Sequence, residues 1–444
     1  MFLQLRNILF VCACMIPAGT MAQTPEATEL DLLRQELRQL RTEYETRISD
    51  LEQRLAAAEQ TTTAPAVTYP ANTTIEMANN AFNPAIGVIF QGQAWDHSRA
   101  LDGYLAPGFP AGGEAGPVSQ GLSIGETEID MSANVDDKFT AWLTLPVVFE
   151  DGAIEVELEE AWIETLGLPG GLAARFGRFF SNIGYLNNKH AHAWDFIDQP
   201  LPYQAFLGGQ YLDDGIQLRW LAPTDIYMEL GAEVLRGDHY PAAGASHDGV
   251  GSWATFLHLG GDVGYSNSWS AGLSYLHTQS DQRGAGDEDT PLFFSGDTGI
   301  LIADFVWKWS PQGNWKQQNL VIQGEYLKRW EDGLYALDDT TTLPYDTAQD
   351  GWYVQLVYQP FPSWRFGARF DTLSAENPGI LFAGTPLYPE VDDPVRFSLM
   401  ADWSNSEFSR LRLQYTHDGS GPVDDDQVGL QYIFSIGAHG AHTF

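Results

Sequence analysis

Cysteine is all but missing from this 444-residue chain, since Cys12 and Cys14 are the two it has and both lie near the N-terminus. The rest of the chain therefore has no disulfides, no thiol catalysis and no cysteine-based zinc site. Basic residues are scarce, with 23 Lys and Arg against 59 Asp and Glu, a net charge of −36. Phosphate backbones need Lys and Arg to neutralise them, so nucleic acid is excluded as a partner. Beyond the N-terminus no apolar run is long enough for a spanning helix. Acid-rich chains are often disordered, but 44% hydrophobic and 13% aromatic residues argue against that here. No GxSxG, P-loop or dinucleotide fingerprint stands at a strand-to-helix turn, and no nucleophile is spaced with a base. The chain reads as a non-enzyme with no required cofactor.

What is present begins with Arg6, the apolar run ILFVCACMIP and the small residues Thr20 and Ala22 before Gln23. That is the layout of a secretory signal peptide over residues 1–22. Over 23–60, Leu30, Leu33, Leu37, Leu40, Tyr44, Ile48, Leu51 and Leu55 advance in steps of three and four. This heptad seam, with one stutter near Tyr44, predicts a short α-helical coiled coil. A single amphipathic helix is the alternative. TTTAPAVTYPANTT then marks a linker, residues 61–81.

From residue 82 to 444 the period changes to two. In RLRLQYT, Leu411, Leu413 and Tyr415 alternate with Arg410, Arg412, Gln414 and Thr416. In the last strand Val428, Leu430, Tyr432, Phe434 and Ile436 share one face. Short turns such as DDK (136–138) and FPS (361–363) alternate with long acidic connections such as 281–297 and 374–394. Apolar-out, polar-in segments joined in this way predict an all-β fold, a transmembrane antiparallel β-barrel of about sixteen strands. An even number leaves both ends on one side, with the coiled coil in the periplasm. The terminal Phe444 resembles the signal that the outer-membrane barrel assembly machinery reads.

EAWIETLGLPGGLAARFGRF (160–179) followed by DDGIQLRWLAP (213–223) resembles the trimeric porins of Gram-negative outer membranes, in particular the phosphate-selective and sugar-specific groups. NPAIGVIFQG, HAHAWDFIDQPLPYQAFLGGQYLDDG and GAHGAHTF resemble a family often labelled zinc-regulated, TonB-dependent outer-membrane receptor. A receptor of the TonB-dependent type has a plug domain and a larger barrel, and this length holds neither. The resemblance implies an outer-membrane homotrimer surrounded by lipid, and an association with zinc. Contact of the coiled coil with peptidoglycan is a further expectation.

The stretch NNKHAHAWDFIDQP (187–200) falls between the fifth and sixth expected strands, where porins fold a long loop into the barrel. Tyr185, His190, His192, Trp194, Asp195, Asp198 and Tyr203 are therefore the expected constriction. Two imidazoles and two carboxylates also suit zinc, which accepts nitrogen and oxygen ligands. His190, His192, Asp195 and Asp198 are the expected metal set, holding zinc at most as a weakly bound solute. Pore lining without tight binding is the alternative. His439 and His442, three apart, point to opposite sides of a regular strand.

Charge facing lipid is expensive, so alternation turns acids and arginines inward. Glu126, Glu128 and Asp130 share one face of a strand, and Glu155, Glu157 and Glu159 share one face of another. Arg365, Arg369, Arg396, Arg410 and Arg412 fall on the inner faces of three late strands. Acid on one wall and arginine on a distant one would set a field across the lumen. The sequence thus predicts a porin for passive diffusion of small hydrophilic solutes, cation-preferring and open to zinc. The alternatives are a metal-binding receptor of the TonB-dependent type and a barrel that tethers the outer membrane.

Overall fold

Apolar and polar residues alternate from Ala85 onward, so each strand offers one face to each environment. In this computed structural model such strands close into a barrel. The structure describes residues 84–99, 106–109, 112, 120–150, 153–242, 249–285, 292–337, 340–389 and 393–437. The expected signal peptide, coiled coil and linker lie outside the described residues, as do His439, His442 and Phe444.

The first half of the barrel comprises β1 (Ala85–His97), β2 (Gly121–Ser123 and Thr127–Asn134), β3 (Phe139–Glu150), β4 (Ala153–Val156 and Glu160–Thr165), β5 (Leu172–Phe180), β6 (Leu212–Leu221), β7 (Tyr227–Leu235) and β8 (Ser252–Val263). The second half comprises β9 (Asn267–Ala285), β10 (Leu292–Trp309), β11 (Asn319–Ala336), β12 (Thr342–Phe361), β13 (Trp364–Ala375), β14 (Val395–Ser406), β15 (Ser409–Gly419) and β16 (Asp425–Gly437). Each strand pairs antiparallel with the next. β16 returns to β1 from Gly87↔Gly437 to His97↔Gln427, which closes the ring. The 18 ladder segments make sixteen strands because β2 and β4 are each interrupted. In β2 the interruption contains Gly125 at φ 56, a left-handed conformation that favours glycine.

Burial follows the alternation. On β15, Leu411, Leu413 and Tyr415 face outward and exposed, while Arg412, Gln414 and Thr416 are all 0% exposed. Outward aromatic side chains gather at the short-turn rim, among them Phe361, Trp364, Phe366, Trp403 and Phe408.

At the other rim the connection 181–211 turns into the lumen instead of rising from it. It carries α1 (Leu201–Leu207), which ends at Gly208 in the left-handed conformation, φ 64. Leu201, Phe206 and Leu207 pack against Leu276, Ile300, Ile302, Leu327 and Leu373 of the wall. Over this patch the inward face is apolar, because the loop rather than water covers it.

Candidate functional site

The loop is closed at its neck by the side chain of Asn187. The Asn187 side-chain amide donates to the carbonyls of Ser181 and Tyr211, both at 2.8 Å, and its oxygen accepts the Tyr211 N–H at 2.7 Å. Glu325 on β11 then anchors the incoming segment. It accepts the N–H groups of Tyr185 and Leu186 at 2.9 and 3.1 Å, and the hydroxyls of Tyr203 and Tyr353 at 2.9 and 2.6 Å.

 Glu325 is 3% exposed, so these four donors are its whole solvation.

Arginines clamp the far end of the loop. Arg369 donates through Nη2 to both carboxylate oxygens of Asp198, at 3.0 and 2.9 Å, and through Nη1 to its carbonyl at 2.7 Å. Arg396 reaches Asp198 Oδ2 at 3.3 Å and the Gln199 carbonyl. Arg412 donates to the Trp194 carbonyl at 2.6 Å, and Arg410 to the His192 carbonyl. Arg365 bridges Asp195 at 2.8 Å and Asp402. Burial alone would raise the pKa of Asp198, but the charges of Arg369 and Arg396 outweigh it and hold the carboxyl below its ordinary range.

This arrangement corrects the expected field across the lumen. The arginine strands β13–β15 are separated from the acidic strands β2 and β4 by β16, β1 and β3 alone, because closure makes neighbours of the chain's two ends. The arginines are also spent on the loop and on Asp371 and Asp402, not on open solvent.

The expected metal set is likewise divided. Asp195 and Asp198 belong to the arginines, and the two histidines meet a different group of acids. His192 Nδ1 lies 2.8 Å from Glu128 Oε1. His190 Nε2 lies 3.1 Å from Glu160 Oε2, and its Nδ1 lies 3.1 Å from Glu159 Oε2 and 3.4 Å from Glu128 Oε2. Burial disfavours the charged ring of His190, yet the carboxylates around it outweigh burial and raise its pKa well above the ordinary value.

A β-bulge makes this corner. Val147 pairs with Val156 and Thr144 with Glu160, so three residues of β4 lie between positions that two residues of β3 separate. The Glu159 N–H also donates to the Thr144 carbonyl, at 3.2 Å. The extra residue lets Glu159 and Glu160 both reach His190. Asp130 is buried beside them and accepts from Thr144 at 2.9 Å, whereas Glu126 is half-buried and Glu155 and Glu157 are exposed. Sequence reading missed Glu160. Its signal was the switch of outward apolar residues from Ile154, Val156 and Leu158 to Ile163, which only an extra residue allows.

With the loop bound to β2, β4 and β11–β15, the open space lies on its other side. Two cavities of about 540 and 740 Å³ meet at Tyr185, Lys189, Asp262 and Ser268. Trp194, Tyr265, Trp309 and Trp315 add aromatic surface to the larger one. Their basic lining is Arg175, Lys189, Arg219, Lys308 and Arg365, and their acidic lining is Asp195, Glu229, Asp262 and Asp304. Lys189 is held over the Tyr185 ring, 4.3 Å from its centroid. Of the expected constriction, Tyr185, Trp194 and Asp195 line these cavities, while His192, Asp198 and Tyr203 are buried in the loop's attachments. His190 stands in the acidic corner.

No protein-family model matches the chain. An uncharacterized protein of Aquifex aeolicus (strain VF5) is 31% identical over an alignment of 352 residues that covers 75% of this chain and 72% of that protein. Among solved structures the fold is similar to OmpTdeltaL8, a loop L8 deletion mutant of the outer membrane protein OmpT of Vibrio cholerae. That likeness has a TM-score of 0.51 at 11% identity and covers 80% of this chain and 99% of that one. It is similar also to the outer membrane channel DcaP of Acinetobacter baumannii, with a TM-score of 0.51 at 13% identity over 80% of this chain and 97% of that one.

Proposed function

The chain belongs to the same family as the Aquifex aeolicus protein, and from that premise and its barrel we propose an outer-membrane channel through which small hydrophilic solutes diffuse passively. An apolar outer face with aromatic side chains at its rim suits a bilayer, and a polar interior suits water. The observation that carries the reading is the pair of adjoining cavities beside Tyr185 and Lys189, which this reading takes as the solute passage left beside the infolded loop. A barrel serving only as a tether has no need of such a passage, and transport rather than catalysis is proposed.

The passage lining is nearly balanced in charge, so the constriction itself selects weakly. The exposed Glu155 and Glu157 and the acid excess of the chain supply a modest cation preference outside it. Zinc enters this reading as one small hydrated cation among others, not as the cargo of an energised receptor.

Planar-bilayer recording of the purified protein is the test. Discrete steps of conductance are expected without any energy source. Insertion into the bilayer with no conductance would instead favour the tether.

A further inference from the structure

We propose that Glu128, Glu159 and His190 bind one small divalent cation, of the zinc or cobalt kind, which ties the infolded loop to β2 and β4. The inference stands apart from the channel reading, since it concerns only how the loop is attached.

One ligand atom from each residue lies within 4.8 Å of the other two. The separations from His190 Nδ1, 3.1 and 3.4 Å, are those of ligand atoms around one ion. Tetrahedral bonds of about 2.0–2.1 Å place ligand atoms roughly 3.3 Å apart. His190 Nδ1 and Glu159 Oε2 are both buried and face each other at ion-pair distance without a well-directed hydrogen bond. Lone pairs directed at a shared third partner produce such an approach, as does an ion pair with the protonated ring.

The surroundings fit ligation too. Glu160 Oε2 faces His190 Nε2 at 3.1 Å and so favours the proton on that nitrogen, which turns the Nδ1 lone pair toward Glu128 and Glu159. His192 Nδ1 holds the second oxygen of Glu128 at 2.8 Å and orients that carboxylate in the same way. Three carboxylates in one corner leave negative charge that a dication offsets. An imidazole ligand with only two carboxylates suits zinc or cobalt better than calcium, which takes six to eight oxygens. A proton on His190 is the competing occupant, and the experiment must separate the two.

The full chain, folded in detergent and stripped with a chelator, would be titrated with Co²⁺ by visible absorption and with Zn²⁺ by calorimetry. One cation per chain is expected, with Co²⁺ giving the intense bands of tetrahedral coordination. His190→Ala and Glu159→Gln should each weaken binding at least about tenfold. Asp297→Asn, at an exposed carboxylate away from the loop, should leave the bound-metal spectrum unchanged. Heat-modifiable migration on gels reports whether each variant is folded, and the isosteric Glu159→Gln decides the matter should His190→Ala misfold. No stoichiometric uptake by the parent chain overturns the proposal, and so does binding that survives Glu159→Gln undiminished.

Discussion

Arg369 on β13 and Asp198 in the infolded loop, 171 positions apart, form a buried pair in which one guanidinium nitrogen serves both carboxylate oxygens. Both side chains are almost wholly shielded from solvent, at 1% and 6% exposure. Removing one partner of such a pair costs about 3–5 kcal/mol, because the other charge is left buried and uncompensated. Arg369→Met should therefore loosen the loop, raise single-channel conductance and lower the temperature at which the barrel unfolds on gels. Unchanged conductance would mean that other contacts suffice to hold the loop.

Acid should have the same effect reversibly. The unfolded carboxyl of Asp titrates near pH 3.9, and Arg369 and Arg396 hold Asp198 below its ordinary range in the fold. A depressed carboxyl contributes stability that is complete above the unfolded pKa and is lost as pH falls through the folded one. The part of the clamp owed to Asp198 should be lost, and conductance should rise, as pH falls below about 3.9. Asp198→Asn should lack that rise, which recording across a pH series would check.

Glu325 predicts a different failure. Glu325→Ala removes the acceptor of two loop N–H groups and two tyrosine hydroxyls. Each buried donor left unsatisfied costs about 1–3 kcal/mol. Limited proteolysis should then cut within 181–211 in the variant and spare the parent. Glu325→Gln keeps part of the acceptor capacity and should fall between them.

Selectivity should depend on salt and on position. At low ionic strength the reversal potential across a salt gradient should favour the cation slightly, and the preference should fade toward 1 M, where the Debye length is about 3 Å. Neutralising Glu155 and Glu157 together should reduce it. Lys189→Glu, at the meeting of the two cavities, should increase it more than either loss reduces it. An anion preference in the parent would place control with the five basic residues of the passage.

A homotrimer is proposed on the porin resemblance. Native mass measurement in mild detergent should find three chains, and deletion of residues 26–60 should weaken the assembly without unfolding the barrel. A strictly monomeric particle would count against it.

Period-two alternation by itself determined the barrel, because a strand between lipid and an interior must sort its side chains by face. It also placed 187–200 between the fifth and sixth strands and turned Arg365, Arg369, Arg396, Arg410 and Arg412 inward. What those residues touch was decided by the tertiary structure alone. Ring closure brings β15 within three strands of β2, and no local pattern states which distant strands become neighbours. The infolded loop reverses the inward rule at Leu276, Ile300 and Leu327, where it replaces water as the environment. A single extra residue in β4 turned both Glu159 and Glu160 toward His190, while Arg365 and Arg369 on β13 took Asp195 and Asp198. Alternation is a local property of the backbone, whereas pairing across a lumen depends on where the whole ring carries each strand.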